Sequence, residues 1–167
     1  RGSCADAGIA SERIVYMGTL GKAAGVAGAF VCAHPQVIDA LVQTARPYVY
    51  STAAPAALAC ALLRSLSILR DDAPRRARLF ARIAQFREGA RGLRWPVPVS
   101  RTPIQPVIVG SSSDALALAA RLWEQGLWVP AIRPPTVQNH TARLRVSLSA
   151  AHTEHDVERL VAALARR

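Results

Sequence analysis

Of the 21 basic side chains in this 167-residue chain, 20 are arginine and one is lysine, Lys22. Arginine keeps its proton and makes a poor nucleophile, whereas a lysine amine can lose a proton and attack a carbonyl. Lys22 is therefore where amine chemistry should be sought. It lies in Tyr16-Met17-Gly18-Thr19-Leu20-Gly21-Lys22-Ala23-Ala24-Gly25-Val26-Ala27-Gly28, three residues after a hydroxyl and among glycines. A nucleotide-binding P-loop needs G-x-x-x-x-G-K-[ST]; here Tyr16 replaces the first glycine and Ala23 the Ser/Thr, so that motif fails twice. A G-x-G-x-x-G dinucleotide loop is absent as well. What remains suits an aldehyde-bearing cofactor such as pyridoxal phosphate. The ε-amine condenses with the aldehyde, the Thr19 hydroxyl donates to the phosphate, and Gly21, Gly25 and Gly28 let backbone approach a bulky ring. A solvated loop lysine fits the same residues equally well.

The elements that must position this loop are readable from periodicity. Ile14-Val15-Tyr16-Met17 is a β-type run ending at Gly18, and Ala29-Phe30-Val31-Cys32 is a second strand. Pro35 opens a helix through Val37, Ile38, Leu41 and Val42, which Arg46-Pro47 ends. Tyr48 to Thr52 reads as extended or turning, and the Ala/Leu spacing predicts a buried helix over 56–69. Asp72 can cap the next helix, with Pro74 in its first turn. In that helix Leu79, Ile83, Phe86 and Ala90 form one stripe. Arg75, Arg78 and Arg82 flank it on one side, and Arg76, Arg87, Arg91 and Arg94 on the other. Pro96, Pro98, Pro103 and Pro106 mark a hinge-like stretch. Beyond it come a strand at Val107-Ile108-Val109, a helix over 113–125 stopped by Gly126, and a strand over 128–132. In a half-buried strand over 142–149, Leu144, Val146 and Leu148 alternate with Arg143, Arg145 and Ser147. Thr153-x-x-Asp156 reads as a capping box for a last helix that turns Val157, Leu160, Val161 and Leu164 inward.

Three ordered motifs resemble the α-oxoamine synthases, pyridoxal phosphate enzymes of the aspartate aminotransferase fold. Gly18-Thr19-Leu20-Gly21-Lys22-Ala23 is similar to the family's cofactor-lysine motif. Arg46-Pro47-Tyr48-Val49-Tyr50-Ser51-Thr52 resembles the segment whose threonine reaches a cofactor phosphate across the dimer interface. Ala131-Ile132-Arg133-Pro134-Pro135-Thr136-Val137, with Thr141 to Thr153, resembles the C-terminal substrate segment. The Arg-Pro-Pro-Thr version is most similar to the biotin-pathway branch.

The resemblance implies an α/β fold of aspartate aminotransferase type (fold type I): the end of the large domain and the C-terminal α+β small domain. Residues 1–47 would close the large domain, 48–94 connect, and 95–167 form the small domain. It implies that Lys22 carries pyridoxal 5'-phosphate and later moves the Cα proton. Thr19 binds the phosphate, and Thr52 does so from the neighbouring subunit of a homodimer. Arg133 binds the amino-acid carboxylate through its planar fork, aimed by a loop that Pro134-Pro135 stiffens, and Thr136 lines the substrate site. The implied reaction is a decarboxylating condensation of L-alanine with a pimeloyl thioester, on CoA or on an acyl carrier protein. A sister enzyme using glycine and another acyl-CoA is the nearest alternative. The family's stacking His and pyridine-nitrogen Asp fall upstream of Arg1, and Asp6 does not match that Asp. The segment by itself is therefore expected to be inactive.

Composition bounds the remaining classes. The chain is 51% hydrophobic with mean hydropathy +0.16, enough for a core and too apolar for disorder. Arg1-Gly2-Ser3-Cys4 is followed by no apolar run resembling a secretion signal, and no initiator Met is present, so the sequence reads as part of something longer. No run resembles a membrane span. Cys4, Cys32 and Cys60 form neither a disulfide framework nor a zinc ribbon, which fits a reduced cytoplasmic setting. His152 and His155 could sit on one helix edge but lack further metal ligands, and His34 and His140 read as loop residues. The formal charge of +10 raises a non-catalytic nucleic-acid-binding fragment as a rival. The arginine-rich helix offers that rival only Phe80 and Phe86 as aromatics, and Phe86 belongs to the apolar stripe. A solvated helix face, with neither nucleic acid nor membrane as partner, is the expectation.

Overall fold

The computed structural model describes residues 2–166, which divide into two compact units, one ending at Asp72 and the other beginning at Ala73. In the first unit a short helix α1 (Ser3–Asp6) precedes an antiparallel hairpin of β1 (Tyr16–Thr19) and β2 (Ala29–Cys32). The register pairs Tyr16 with Cys32 and Thr19 with Ala29. Gly18 sits opposite Phe30, and a Cβ there would come within 2.6 Å of the Phe30 ring, so only glycine lets that ring lie across the strand. Helix α2 (Pro35–Thr44) starts with Pro35 in its first turn and the His34 imidazole accepting from the Gln36 N–H.

Two readings of this unit need correction. Arg46-Pro47 does end α2, but it also opens a one-turn helix α3 (Arg46–Val49), where an extended or turning segment was expected to begin by Tyr48. Proline lacks the N–H that a first-turn residue would leave unpaired anyway, so it starts a helix as readily as it stops one. Helix α4 (Ala56–Asp71) forms where the Ala/Leu spacing placed it, yet none of its residues is buried, and Leu63 is 70% exposed. Composition sets helical propensity; what covers a helix is decided by its neighbours.

The second unit carries the core. Helix α5 (Ala73–Gly89) is followed by a 3₁₀ turn at Ala90–Gly92, β3 (Ile104–Gly110), α6 (Ser112–Glu124), β4 (Ala131–Ile132), β5 (Ala142–Ser147) and α7 (Glu154–Ala165). The strands form one antiparallel sheet in the order β3-β5-β4. The stripe on α5 is realised: Ile83, Phe86 and Ala90 are buried, with Leu79 packed against them. They meet Val107, Leu122, Leu144, Val146, Val157, Leu160 and Leu164 in one cluster. Each fully buried side chain of this size stabilises the fold by roughly 1.5–3 kcal/mol before entropy is counted. Alternation on β5 holds, with Ala142, Leu144 and Val146 inward and Arg145 and Ser147 outward, and Leu148 is also buried just past the strand.

The proline-rich stretch is not a free hinge. The Pro96 carbonyl accepts from the Ile108 N–H (2.9 Å), and the Pro103 carbonyl from the Leu148 N–H (2.9 Å). The buried Gln105 amide donates to the Ser100 and Thr102 carbonyls at 3.1 and 2.6 Å. β3 runs longer than the expected 107–109, reaching back through Pro106, because it lies at a sheet edge where a missing N–H is tolerated. The strand expected over 128–132 shrinks to Ala131–Ile132.

Candidate active site

Lys22 lies in the loop that closes the β1–β2 hairpin. The Leu20 N–H donates to the Gly28 carbonyl (2.9 Å), the Val26 N–H to the Leu20 carbonyl (2.9 Å), and the Gly25 N–H to the Lys22 carbonyl (3.0 Å). Gly25 and Gly28 have φ of 65° and 116°, in the left-handed region that favours glycine. From α4, the Ser65 hydroxyl donates to the Ala24 carbonyl at 2.6 Å and ties down the loop. The loop is thus held by its own backbone and by one side-chain anchor, with Lys22 left exposed at its turn.

The lysine is already oriented. Its Nζ donates to the Thr19 Oγ1 at 3.1 Å, so the strand end and the loop place amine and hydroxyl side by side. A Cβ added at Gly25 would meet nothing within 4 Å, and one at Gly21 only the Val26 carbonyl at 3.9 Å. Small residues therefore leave open space around an exposed primary amine with a hydroxyl beside it. Those residues fit pyridoxal phosphate: an amine for its aldehyde, a donor for its phosphate, and room for its ring.

Thr52 follows α3 in the same unit, exposed and with no side-chain hydrogen bond among the described residues. Before it, the Ser51 hydroxyl donates to the Pro47 carbonyl and holds the end of α3.

Arg133 and Thr136 lie in the second unit, immediately after β4. The Thr136 N–H donates to the Arg133 carbonyl at 3.1 Å, closing a turn that contains the cis Pro134-Pro135 bond. Both side chains are exposed, and Arg133 has no ion-pair partner among the described residues. A guanidinium so placed is available for a carboxylate. One further cation stands near this turn. Arg143 is half-buried on β5, opposite Ile132, and its Nε donates to the Thr141 carbonyl at 2.9 Å. Strict alternation groups it with the outward Arg145. Only its place at the strand's start, across from the residue before Arg133, sets it apart.

Other candidates stay quiet. Among the described residues no group of three or more His, Cys, Asp or Glu could hold a metal ion. The His152 Nδ1 accepts from the Ser149 N–H at 3.1 Å, a local turn contact. Cys4, Cys32 and Cys60 are all free thiols. No helix among the described residues is long and apolar enough to cross a membrane.

The chain as a whole is similar to known proteins. The family model described as aminotransferase class I and II matches residues 4–164. The 8-amino-7-oxononanoate synthase of Aromatoleum aromaticum is 54% identical over 166 residues, which is 99% of this chain and 43% of that protein. The solved 8-amino-7-oxononanoate synthase of Francisella tularensis superposes with a TM-score of 0.81 at 30% identity, covering 91% of this chain and 44% of that one. Serine palmitoyltransferase of Sphingomonas wittichii does so with a TM-score of 0.82 at 27% identity, covering 89% and 38%. The chain thus spans about two fifths of the length of the proteins it matches. With its fold and nearly its whole length matched, the chain belongs to the aminotransferase class I and II family.

Proposed function

We propose that a full-length protein containing this chain is a pyridoxal phosphate-dependent acyltransferase. It would condense L-alanine with a pimeloyl thioester to give 8-amino-7-oxononanoate, carbon dioxide and the free thiol of the carrier, a step of biotin biosynthesis. The observation that carries the reading is the Lys22 Nζ resting 3.1 Å from the Thr19 Oγ1 on a glycine-opened loop. When bound, pyridoxal phosphate supplies an electron sink for the amino acid's Cα. Lys22 anchors that group through its aldehyde and, once displaced, holds and moves the Cα proton. Thr19 donates to the phosphate, and Thr52 does so from the partner subunit of a homodimer. Arg133 binds the alanine carboxylate through its fork, and Thr136 lines the same site. The 54% identity to an 8-amino-7-oxononanoate synthase supports this member over its sisters. A cytoplasmic setting accords with three free thiols.

Turnover by the full-length protein tests the reading. Carbon dioxide release with L-alanine and a pimeloyl thioester, and little with glycine, is the expected result. Preference for glycine and another acyl-CoA would assign the sister activity instead. A salt-sensitive nucleic-acid complex with no cofactor absorbance would replace both with a binding role.

A further inference from the structure

A serine inside a helix commonly turns its hydroxyl back on its own backbone. Ser67 of α4 does so, donating to the Arg64 carbonyl at 2.8 Å. Ser65, on the same helix, does not. Its half-buried hydroxyl crosses to the hairpin loop and donates to the Ala24 carbonyl at 2.6 Å, 41 residues away in sequence. No residue of α4 is buried, so tight packing does not impose this contact. In an Ala/Leu-rich helix a serine lowers helical propensity relative to alanine, and here a bond to another element offsets that loss.

The loop needs such a bond. Gly21, Gly25 and Gly28 give the segment around Lys22 more backbone freedom than other residue types would. A backbone bond closes the turn over the lysine, from the Gly25 N–H to the Lys22 carbonyl at 3.0 Å. Ala24 lies between these two partners, so Ser65 pins the turn from outside the hairpin. The Lys22 Nζ meets the Thr19 Oγ1 at 3.1 Å only while that turn keeps its shape. A displacement of about 1 Å at a reacting group can cost about a hundredfold in rate.

We propose that Ser65 is a positioning residue: its hydroxyl holds the loop so that the Lys22 amine faces an aldehyde cofactor with Thr19 beside it. The inference rests on the reading of Lys22 as the cofactor lysine, and it brings α4 into that site.

The test uses the full-length protein with Ser65→Ala, Ser65→Thr and, as a control on the same helix, Ser67→Ala. Pyridoxal phosphate is added to each cofactor-free protein and its capture is followed by absorbance. Ser65→Ala should capture it about fivefold more slowly, the worth of one net hydrogen bond. Its kcat should fall about tenfold, with KM for alanine and for the thioester within about twofold of wild type. Ser65→Thr keeps the hydroxyl and should restore both, and Ser67→Ala should match wild type. Amide exchange at Gly25 and Val26 reads the loop with no cofactor present, and Ser65→Ala should speed it about fivefold. Unchanged exchange at those amides in Ser65→Ala would overturn the proposal, as would capture within about twofold of wild type. So would Ser65→Thr as impaired as Ser65→Ala, or equal losses in Ser67→Ala. Wild-type protein that captures no cofactor, while Ser65→Ala still speeds loop exchange, would sink the reading of Lys22 as the cofactor lysine and uphold the anchor.

Discussion

At the scale of single residues, the chemistry depends on where one amine is held. Lys22 stood out by type alone, as the single lysine among 21 basic residues, and Thr19 by its spacing from it. Both lie on a hairpin whose turn needs glycine at positive φ, which is why the pair is local and could be read without the fold. Arg143 could not be read in that way, because alternation assigns it to the outward face while its position at the strand start half-buries it. Lys22→Ala in the full-length protein should lower kcat by about a thousandfold or more. Because the side chain is exposed, the thermal midpoint should stay within about 2 °C of wild type. A second residue ties stability to pH. The Thr153 backbone N–H and hydroxyl both donate to the Asp156 carboxylate, each at 2.8 Å, and hold it below the usual carboxylate range. A group depressed in the folded state stabilises that state above its unfolded value, near 3.9, and loses this as pH falls through the folded value. Urea midpoints should therefore drop in acid, below about pH 4. Asp156→Asn should flatten part of that drop and lower the midpoint at neutral pH.

At the scale of elements, periodicity carried most of the information. The α5 stripe, the β5 alternation and the capping box of α7 were legible because each is a local pattern tied to one core. The failures share a cause: they depend on neighbours distant in sequence. α4 has the composition of a buried helix but no cover within its unit, and Pro106 belongs to a strand only because that strand is an edge. Short elements such as α3 and β4 fall below what a periodic pattern can resolve. One contact between elements makes a quantitative prediction. A Cβ at Gly89 would stand 2.9 Å from the Val161 Cγ1 and 3.4 Å from its Cβ, so α5 meets α7 where only glycine fits. Both Val161 methyls lie within 3.0 Å of that position, so the valine must turn about its one side-chain torsion or α7 must shift. Gly89→Ala is expected to cost about 1–3 kcal/mol by overpacking, read from denaturant midpoints. An unchanged or raised midpoint would show that the helices part without strain.

At the scale of the whole molecule, the two units differ in what holds them. The helices of the first unit contain no buried residue, whereas the second carries a continuous core from Ile83 to Leu164. Local opening follows contact density. Native-state hydrogen exchange on this chain should therefore show the slowest amides in β3, β5 and α7, and faster exchange across the hairpin and α4. Equal protection in both units would contradict this. The domain boundaries implied by the family resemblance, 1–47, 48–94 and 95–167, remain our proposal for the full-length protein. Its central claim is that the hairpin amine carries the cofactor. Borohydride reduction of the cofactor-loaded full-length protein, followed by peptide mapping, tests this most directly. The label should sit on Lys22, in the peptide spanning the β1–β2 turn; a label on any other residue, or none, would contradict the account.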